Sequence, residues 1–202
     1  MPIELTREHL TYLNIGRRYW TAELSQASEQ QKEALRGYVI RFKKAIRAGV
    51  GLYLFGSNGS GKTFLSSALL KEAWRRWGIA GYCVTAAELK AAFARPTEAH
   101  AGSEELMVER AEASRLFVID DLGKEYRATS GFAEVSFGAL LRHRSREELA
   151  TIITTNMGPK EFAEVYGAST AKLLKECMLP VKLGGRDHRD DAADELRRLI
   201  KE

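Results

Sequence analysis

"LFGSNGSGKTF", residues 54–64, decides how the rest of the chain is read. Gly56, four intervening residues, then Gly61, Lys62 and Thr63 fit the pattern G-x-x-x-x-G-K-[ST]. Each residue type has a physical task. Glycines let successive backbone N–H groups turn inward with positive φ and no Cβ in the way. A helix beginning near Lys62 adds its N-terminal partial charge. Lys62 is expected to reach the β- and γ-phosphates of a nucleotide, and the Thr63 hydroxyl to serve Mg²⁺. The expected nucleotide-binding run is Gly56, Ser57, Asn58, Gly59, Ser60, Gly61, Lys62, Thr63 and Phe64.

The flanks of this loop set the fold. An apolar run, "GLYLF" (51–55), enters it, and an amphipathic stretch, 62–77, leaves it and closes at Gly78. The alternation continues outward. Strands are expected at 81–85, 115–121, 150–156 and 180–185. Between them, helical patterns start at Ala86 and stop near Pro96, run over 132–148, and recur near 168–178. Ahead of the loop, residues 28–49 read as one helix with a stripe of Leu35, Val39, Phe42 and Ile46, ended by Gly49. Strand and helix alternating in this way predict an α/β fold, a parallel sheet covered on both faces. The organisation read from the chain is a short N-terminal segment (1–26), a core (27–190) and a charged helical tail (191–202).

Bulk properties narrow the class. A chain of 202 residues, 45% hydrophobic and 29% charged, suits one globular domain. The polar, charged start "MPIELTREHL" does not read as a signal peptide, and no apolar run is long enough to cross a bilayer. Two cysteines, Cys83 and Cys177, exclude a disulfide framework and a four-cysteine zinc site; they leave room for one bridge between them, and a reduced, cytoplasmic setting is expected. A net charge of +4 and a pI near 9.1 permit contact with nucleic acid without requiring it. Trp20, Trp74 and Trp77 are expected in the core or an interface.

Two strand ends carry the remaining chemistry. In "LFVIDDLGKE", apolar residues end in Asp120 and Asp121, at the carboxyl edge of a parallel strand where α/β ligands bind. Asp120 is expected to hold Mg²⁺ through its waters, and Asp121 to orient an attacking water, with Glu125 just beyond. In "ATIITTNM" a buried strand turns polar at Thr154, Thr155 and Asn156. If that strand lies between the loop strand and the acidic strand, Asn156 comes near the γ-phosphate, where an amide can hold the nucleophilic water. A second acid beside the metal carboxylate suits water as acceptor. ATP hydrolysis is therefore favoured over a small-molecule or nucleotide kinase, which needs an acceptor pocket.

Taken together, "GSNGSGKT", "FVIDDLGKE", "TIITTNM" and "VKLGGRDHR" resemble the AAA+ ATPases of the DnaC-type helicase-loader family, which includes the IstB-like helper ATPases of certain transposons. The resemblance spans roughly residues 17–190, and "RRYW" fits its opening segment. It implies a P-loop NTPase (AAA+) core with a five-stranded parallel sheet, no separate lid domain, and ATP held between subunits of a homo-oligomer. The implied function is helicase loading in DNA replication, with a replicative helicase as partner. The transposition helper, partnered by a transposase, is the alternative. Arg189 in "GGRDHR" matches the family's late arginine that touches nucleotide, and Lys172 falls where a trans-acting arginine often stands. A lysine brings charge without the planar fork of a guanidinium. Arg144 is a second candidate for facing a neighbour. Typical loaders carry an extra N-terminal domain, whereas here about fifty residues precede the loop. Partner contact is thus expected from residues 1–16, a core surface or a separate protein, and the length suits an accessory, phage-type or truncated version. Single-stranded DNA is expected along a basic surface that includes Lys90, Phe93 and Arg95.

Overall fold

The computed structural model describes residues 3–93, 101–123 and 132–184. Five strands form one parallel sheet: β1 (Gly51–Gly56), β2 (Gly81–Thr85), β3 (Leu116–Leu122), β4 (Ala150–Thr155) and β5 (Met178–Leu183), in the order β2-β3-β4-β1-β5. Strand β4 therefore lies between the phosphate-loop strand and the acidic strand, as the reading of Asn156 required. All six residues of β4 are buried, which accounts for its almost unbroken apolar start.

Helices cover the two faces. On one lie α1 (Arg7–Tyr12), α2 (Glu29–Ile40), α3 (Phe42–Arg47) and α4 (Lys62–Trp77); on the other lie α5 (Ala86–Phe93), α6 (Ala101–Ala113), α7 (Phe132–Arg146) and α8 (Pro159–Cys177). Alternate β1 residues feed the two cores. Leu52 and Leu54 join Leu65, Leu69 and Leu70 of α4, whereas Tyr53 joins Phe137 of α7 and Phe162 of α8. Each fully buried leucine contributes about 2 kcal/mol by leaving water. Trp20, Trp74 and Trp77 pack, partly buried, against the first of these layers.

Several boundaries depart from the sequence reading. The single helix expected over 28–49 is two, because Arg41 leaves helical geometry (φ −106°, ψ 15°) and redirects Phe42 and Ile46 into the core. Tyr38 is buried in place of Val39, its hydroxyl donating to the Val50 carbonyl at 2.9 Å. Helix α6 was not foreseen; its helical period is weak, and Leu106 is exposed. Helix α8 starts earlier than expected, with Pro159 in its first turn, and is broken at Gly167 (φ 81°, ψ 155°). Strand β5 begins at Met178, two residues before the expected 180. The expected tail, 191–202, lies outside the described residues.

The N-terminal segment is part of the core. Leu10, Leu13, Ile15 and Ala22 are buried, and the Leu13 carbonyl accepts from the Cys83 N–H at the outer edge of β2. Among the described residues nothing extends beyond the sheet and its two layers, and no helix is long and apolar enough to cross a membrane.

Arg144 corrects one expectation outright. It is 1% exposed and cannot face a neighbouring subunit. Its guanidinium donates to the carbonyls of Ala111 (2.7 Å), Ser114 (2.9 Å) and Ala150 (2.7 Å) and to Thr151 Oγ1 (2.8 Å), and lies over the Phe117 ring. Burial pushes its pKa down to about 9. The ring of acceptors opposes that cost and ties the turn before β3 to the turn before β4.

Candidate nucleotide site

A cleft of about 670 Å³ opens where β1, β3 and β4 end, and Asn58, Gly59, Gly61, Lys62, Thr63, Phe64, Asp120, Asp121 and Asn156 line it. The loop after β1 has the backbone that its glycines permit. Gly59 and Gly61 have φ of 75° and 83°, and Gly61 is the N-cap of α4, so the first N–H groups of that helix are left to face a ligand. Gly56 is needed for another reason: a Cβ there would lie 2.0 Å from the Leu183 carbonyl oxygen.

Lys62 is buried, and its ammonium donates to the carbonyls of Gly56 (3.0 Å) and Ser57 (2.8 Å) and to Asn156 Oδ1 (2.8 Å). The side chains of the phosphate loop and of the β4 terminus thus meet directly. Ser60 Oγ, also buried, has no hydrogen-bond partner.

The acids sit on an irregularity of the sheet. Ile119 pairs with Ile153 and Leu122 with Thr155, so Asp120 and Asp121 together stand opposite Thr154 alone. Asp121 adopts φ 56°, a left-handed conformation that Asp tolerates better than most residues. The Thr154 hydroxyl serves both, accepting from the Asp121 N–H at 2.8 Å and donating to Asp120 Oδ1 at 2.7 Å. Burial pushes the Asp120 carboxyl up. Hydrogen bonds from Thr154 and Thr63 pull it down, the nearby Asp121 charge pushes it up, and Lys62 pulls it down. Thr63 and Asp120 line the same cleft.

The far wall comes from residues that the sequence reading did not place at the site, although Arg18 and Tyr19 belong to "RRYW". Arg18, Tyr19, Thr21, Gln26, Ser28 and Gln31 line it. Ser28 caps α2, and Gln31 closes the capping box, accepting from the Ser28 N–H at 2.8 Å. The same buried amide donates to the Ser60 carbonyl at 2.9 Å, so it braces the phosphate loop from outside. The S-x-x-Q spacing was visible as a capping signal, although its reach to the loop was not. Lys71 fastens the wall, donating to the carbonyls of Trp20 and Ala22, and burial lowers its pKa while Glu23 raises it.

This combination of loop, paired acids and strand-end amide agrees with the family comparison. Residues 25–179 match the profile of the family described as IstB-like ATP binding protein. The chain belongs to that family. This IstB-like chain is 25% identical over 177 residues to the replicative helicase loader DnaI of Bacillus subtilis (strain 168), a span of 80% of the chain and 56% of that loader. In fold it is similar to the crystal structure of the DnaC helicase loader, with TM-score 0.71, 24% identity, and coverage of 84% of this chain and 100% of that one. It is also similar to AMPPCP-bound DnaA from Aquifex aeolicus, with TM-score 0.65, 15% identity, and coverage of 91% and 56%.

The other expected residues are scattered. In the IstB-like fold Lys172 is exposed on α8, beyond the Gly167 break. Lys90 and Phe93 lie on α5, and Phe93 packs, partly buried, against the core, which leaves less of its ring for stacking. Arg95, Glu125 and Arg189 lie outside the described residues.

The residues present fit a magnesium nucleotide. A Cβ at Gly61 would lie 2.6 Å from Gln31 Nε2, so the loop is as close to its brace as a glycine allows. Hard oxygen donors, Thr63 and Asp120, adjoin the ammonium of Lys62, which suits Mg²⁺ beside a phosphate. Among the described residues no group of three His, Cys, Asp or Glu side chains could hold a metal ion.

Proposed function

We propose that the chain binds and hydrolyses ATP with Mg²⁺ and uses the cycle to help place a replicative helicase on DNA. The observation that carries the proposal is the junction of Lys62 with Asn156 at 2.8 Å, beside the acid pair. Lys62 would leave the Gly56 and Ser57 carbonyls to meet the phosphates. Thr63 and Asp120 would hold the metal, whose chemistry when bound is to neutralise phosphate charge. Asp121 and Asn156 would orient water for attack. Likeness to a replicative helicase loader supports the choice of partner, although the chain spans little more than half of that protein's length.

Other roles belong to the same proposal. Lys172, exposed on α8, acts on ATP in a neighbouring subunit of an ATP-dependent homo-oligomer, and Arg189 touches the nucleotide. Single-stranded DNA is contacted by Lys90 and Phe93 of α5 and by Arg95. The setting is cytoplasmic.

The test combines turnover and capture. Hydrolysis should rise with single-stranded DNA or with a replicative helicase, and Lys62→Ala should abolish it. Immobilised protein should retain the helicase when ATP is present. Retention of a transposase instead moves the function to transposition, and transfer of phosphate to a small molecule rather than to water refutes the motor reading.

A further inference from the structure

Thr154 makes contacts that family membership does not assign. It is 1% exposed, and its one hydroxyl engages both carboxylate-bearing residues: the backbone of Asp121 and the side chain of Asp120. Asp121 is in the left-handed region, where a non-glycine residue needs outside support to stay. Pairing with β4 resumes only at Leu122, so on that side the ladder skips both acids; Asp120 keeps a ladder partner only in Thr85 of β2, and Asp121 has none. The Thr155 hydroxyl donates to the Leu122 carbonyl and accepts from the Met157 N–H, which fixes the sheet just beyond the irregularity. Within the irregularity the Thr154 hydroxyl spans the gap.

We propose that Thr154 is a positioning residue that holds Asp120 at the metal position and Asp121 at the water position, and so sets the Mg²⁺ dependence of nucleotide binding. This rests on the ATP reading of the cleft. A hydroxyl is required because the site needs one donor, towards Asp120, and one acceptor, towards Asp121, from a single atom. Valine has the shape and neither function. Serine has both functions. Lys62 and the loop amides, which grip phosphate without metal, lie outside this contact.

The experiment measures binding of a fluorescent ATP analogue, first in EDTA and then across a Mg²⁺ titration. Thr154→Val should leave affinity in EDTA unchanged and raise the Mg²⁺ concentration needed for full binding by about tenfold or more, as outer-shell partners of a metal ligand do. Thr154→Ser should restore the wild-type titration. If Thr154→Val does not fold, Thr154→Ala, which does not press a methyl against Asp120, is read in the same way. The same comparison in an Asp120→Asn background should show little further shift, because the contact acts through that acid. A hydroxyl-free variant with the wild-type Mg²⁺ titration overturns the role of Thr154 and leaves the ATP site standing. A wild-type protein whose nucleotide affinity ignores Mg²⁺ overturns both.

Discussion

Lys62 and Asn156, 94 positions apart in sequence, are joined by a 2.8 Å hydrogen bond from Nζ to Oδ1. The bond crosses from the start of α4 to the end of β4. It ties the strand-end amide to the lysine of the phosphate loop. Asn156→Ala should therefore bind ATP within a few fold of wild type yet hydrolyse it on the order of 100-fold more slowly, as when one preorganised polar group is lost from a reacting centre. Asn156→Asp should bind more weakly than Asn156→Ala, since a carboxylate there pairs with Lys62 and repels phosphate. Equilibrium binding and single-turnover hydrolysis measure the two effects separately. Binding by Asn156→Ala as poor as by Lys62→Ala would mean that the amide serves only to place the lysine.

Gln31 braces the loop through the Ser60 carbonyl. Replacing it with Ala removes that contact and half of the α2 capping box. We expect about 1 kcal/mol lower stability in urea. We also expect a several-fold higher KM for ATP with kcat nearly unchanged, because the lost contact shapes the cradle and not the water site.

Gly61 combines φ 83° with a neighbour that a Cβ would meet at 2.6 Å. The left-handed backbone alone makes Gly61→Ala cost about 1–2 kcal/mol. The contact adds to this because Gln31 is held at both ends, by Ser28 and Ser60. In the double variant with Gln31→Ala the steric part should vanish and the backbone part remain, which chemical denaturation of the four proteins resolves.

Arg144→Met removes the donor that serves the carbonyls of Ala111, Ser114 and Ala150. Loss of about 3–5 kcal/mol is expected, as when one side of a buried charged contact is deleted. The defect should stay with the mutant chain: mixing it with Lys62→Ala subunits should not restore hydrolysis. Restoration would imply a role between subunits that its burial opposes.

Alkaline pH should weaken the fold through two phenols. Burial raises the pKa of Tyr38 and Tyr53 above the usual value of 10, and each hydroxyl donates to a carbonyl, Val50 and Met157 respectively. Below pH 10 both states keep the proton and the contribution is whole. Above it the unfolded chain releases protons that the native state retains, so stability falls as pH rises towards the native pKa. Tyr38→Phe and Tyr53→Phe should each flatten the alkaline limb of stability against pH.

Much of this was legible because the chemistry is local in sequence. The phosphate loop declares itself through glycine spacing, and α4 through its closing Gly78, whose left-handed φ of 62° matches the expected stop. The acid pair and Asn156 could be placed from strand ends alone, and the sheet order brings them together. What was hidden depends on contacts between distant segments. Arg144 looks like a surface cation until three carbonyls are seen around it. Gln31 reaches 29 positions to Ser60, and no pattern in α2 records that reach. Helix α6 escaped because few bulky apolar residues mark its period, and the break at Arg41 because neither Gly nor Pro announces it.

The strand order has a consequence for how the chain is made. Strand β1 pairs only with β4, from residue 150, and with β5, from residue 178. A nascent chain that has just completed the phosphate loop offers that strand no neighbour until roughly a hundred more residues have been translated. Such long closures are slow and leave apolar edges uncovered meanwhile. The nucleotide cradle is thus synthesised well before the strands that frame it, so translation speed across residues 57–150 governs how long its strand stays bare on the ribosome.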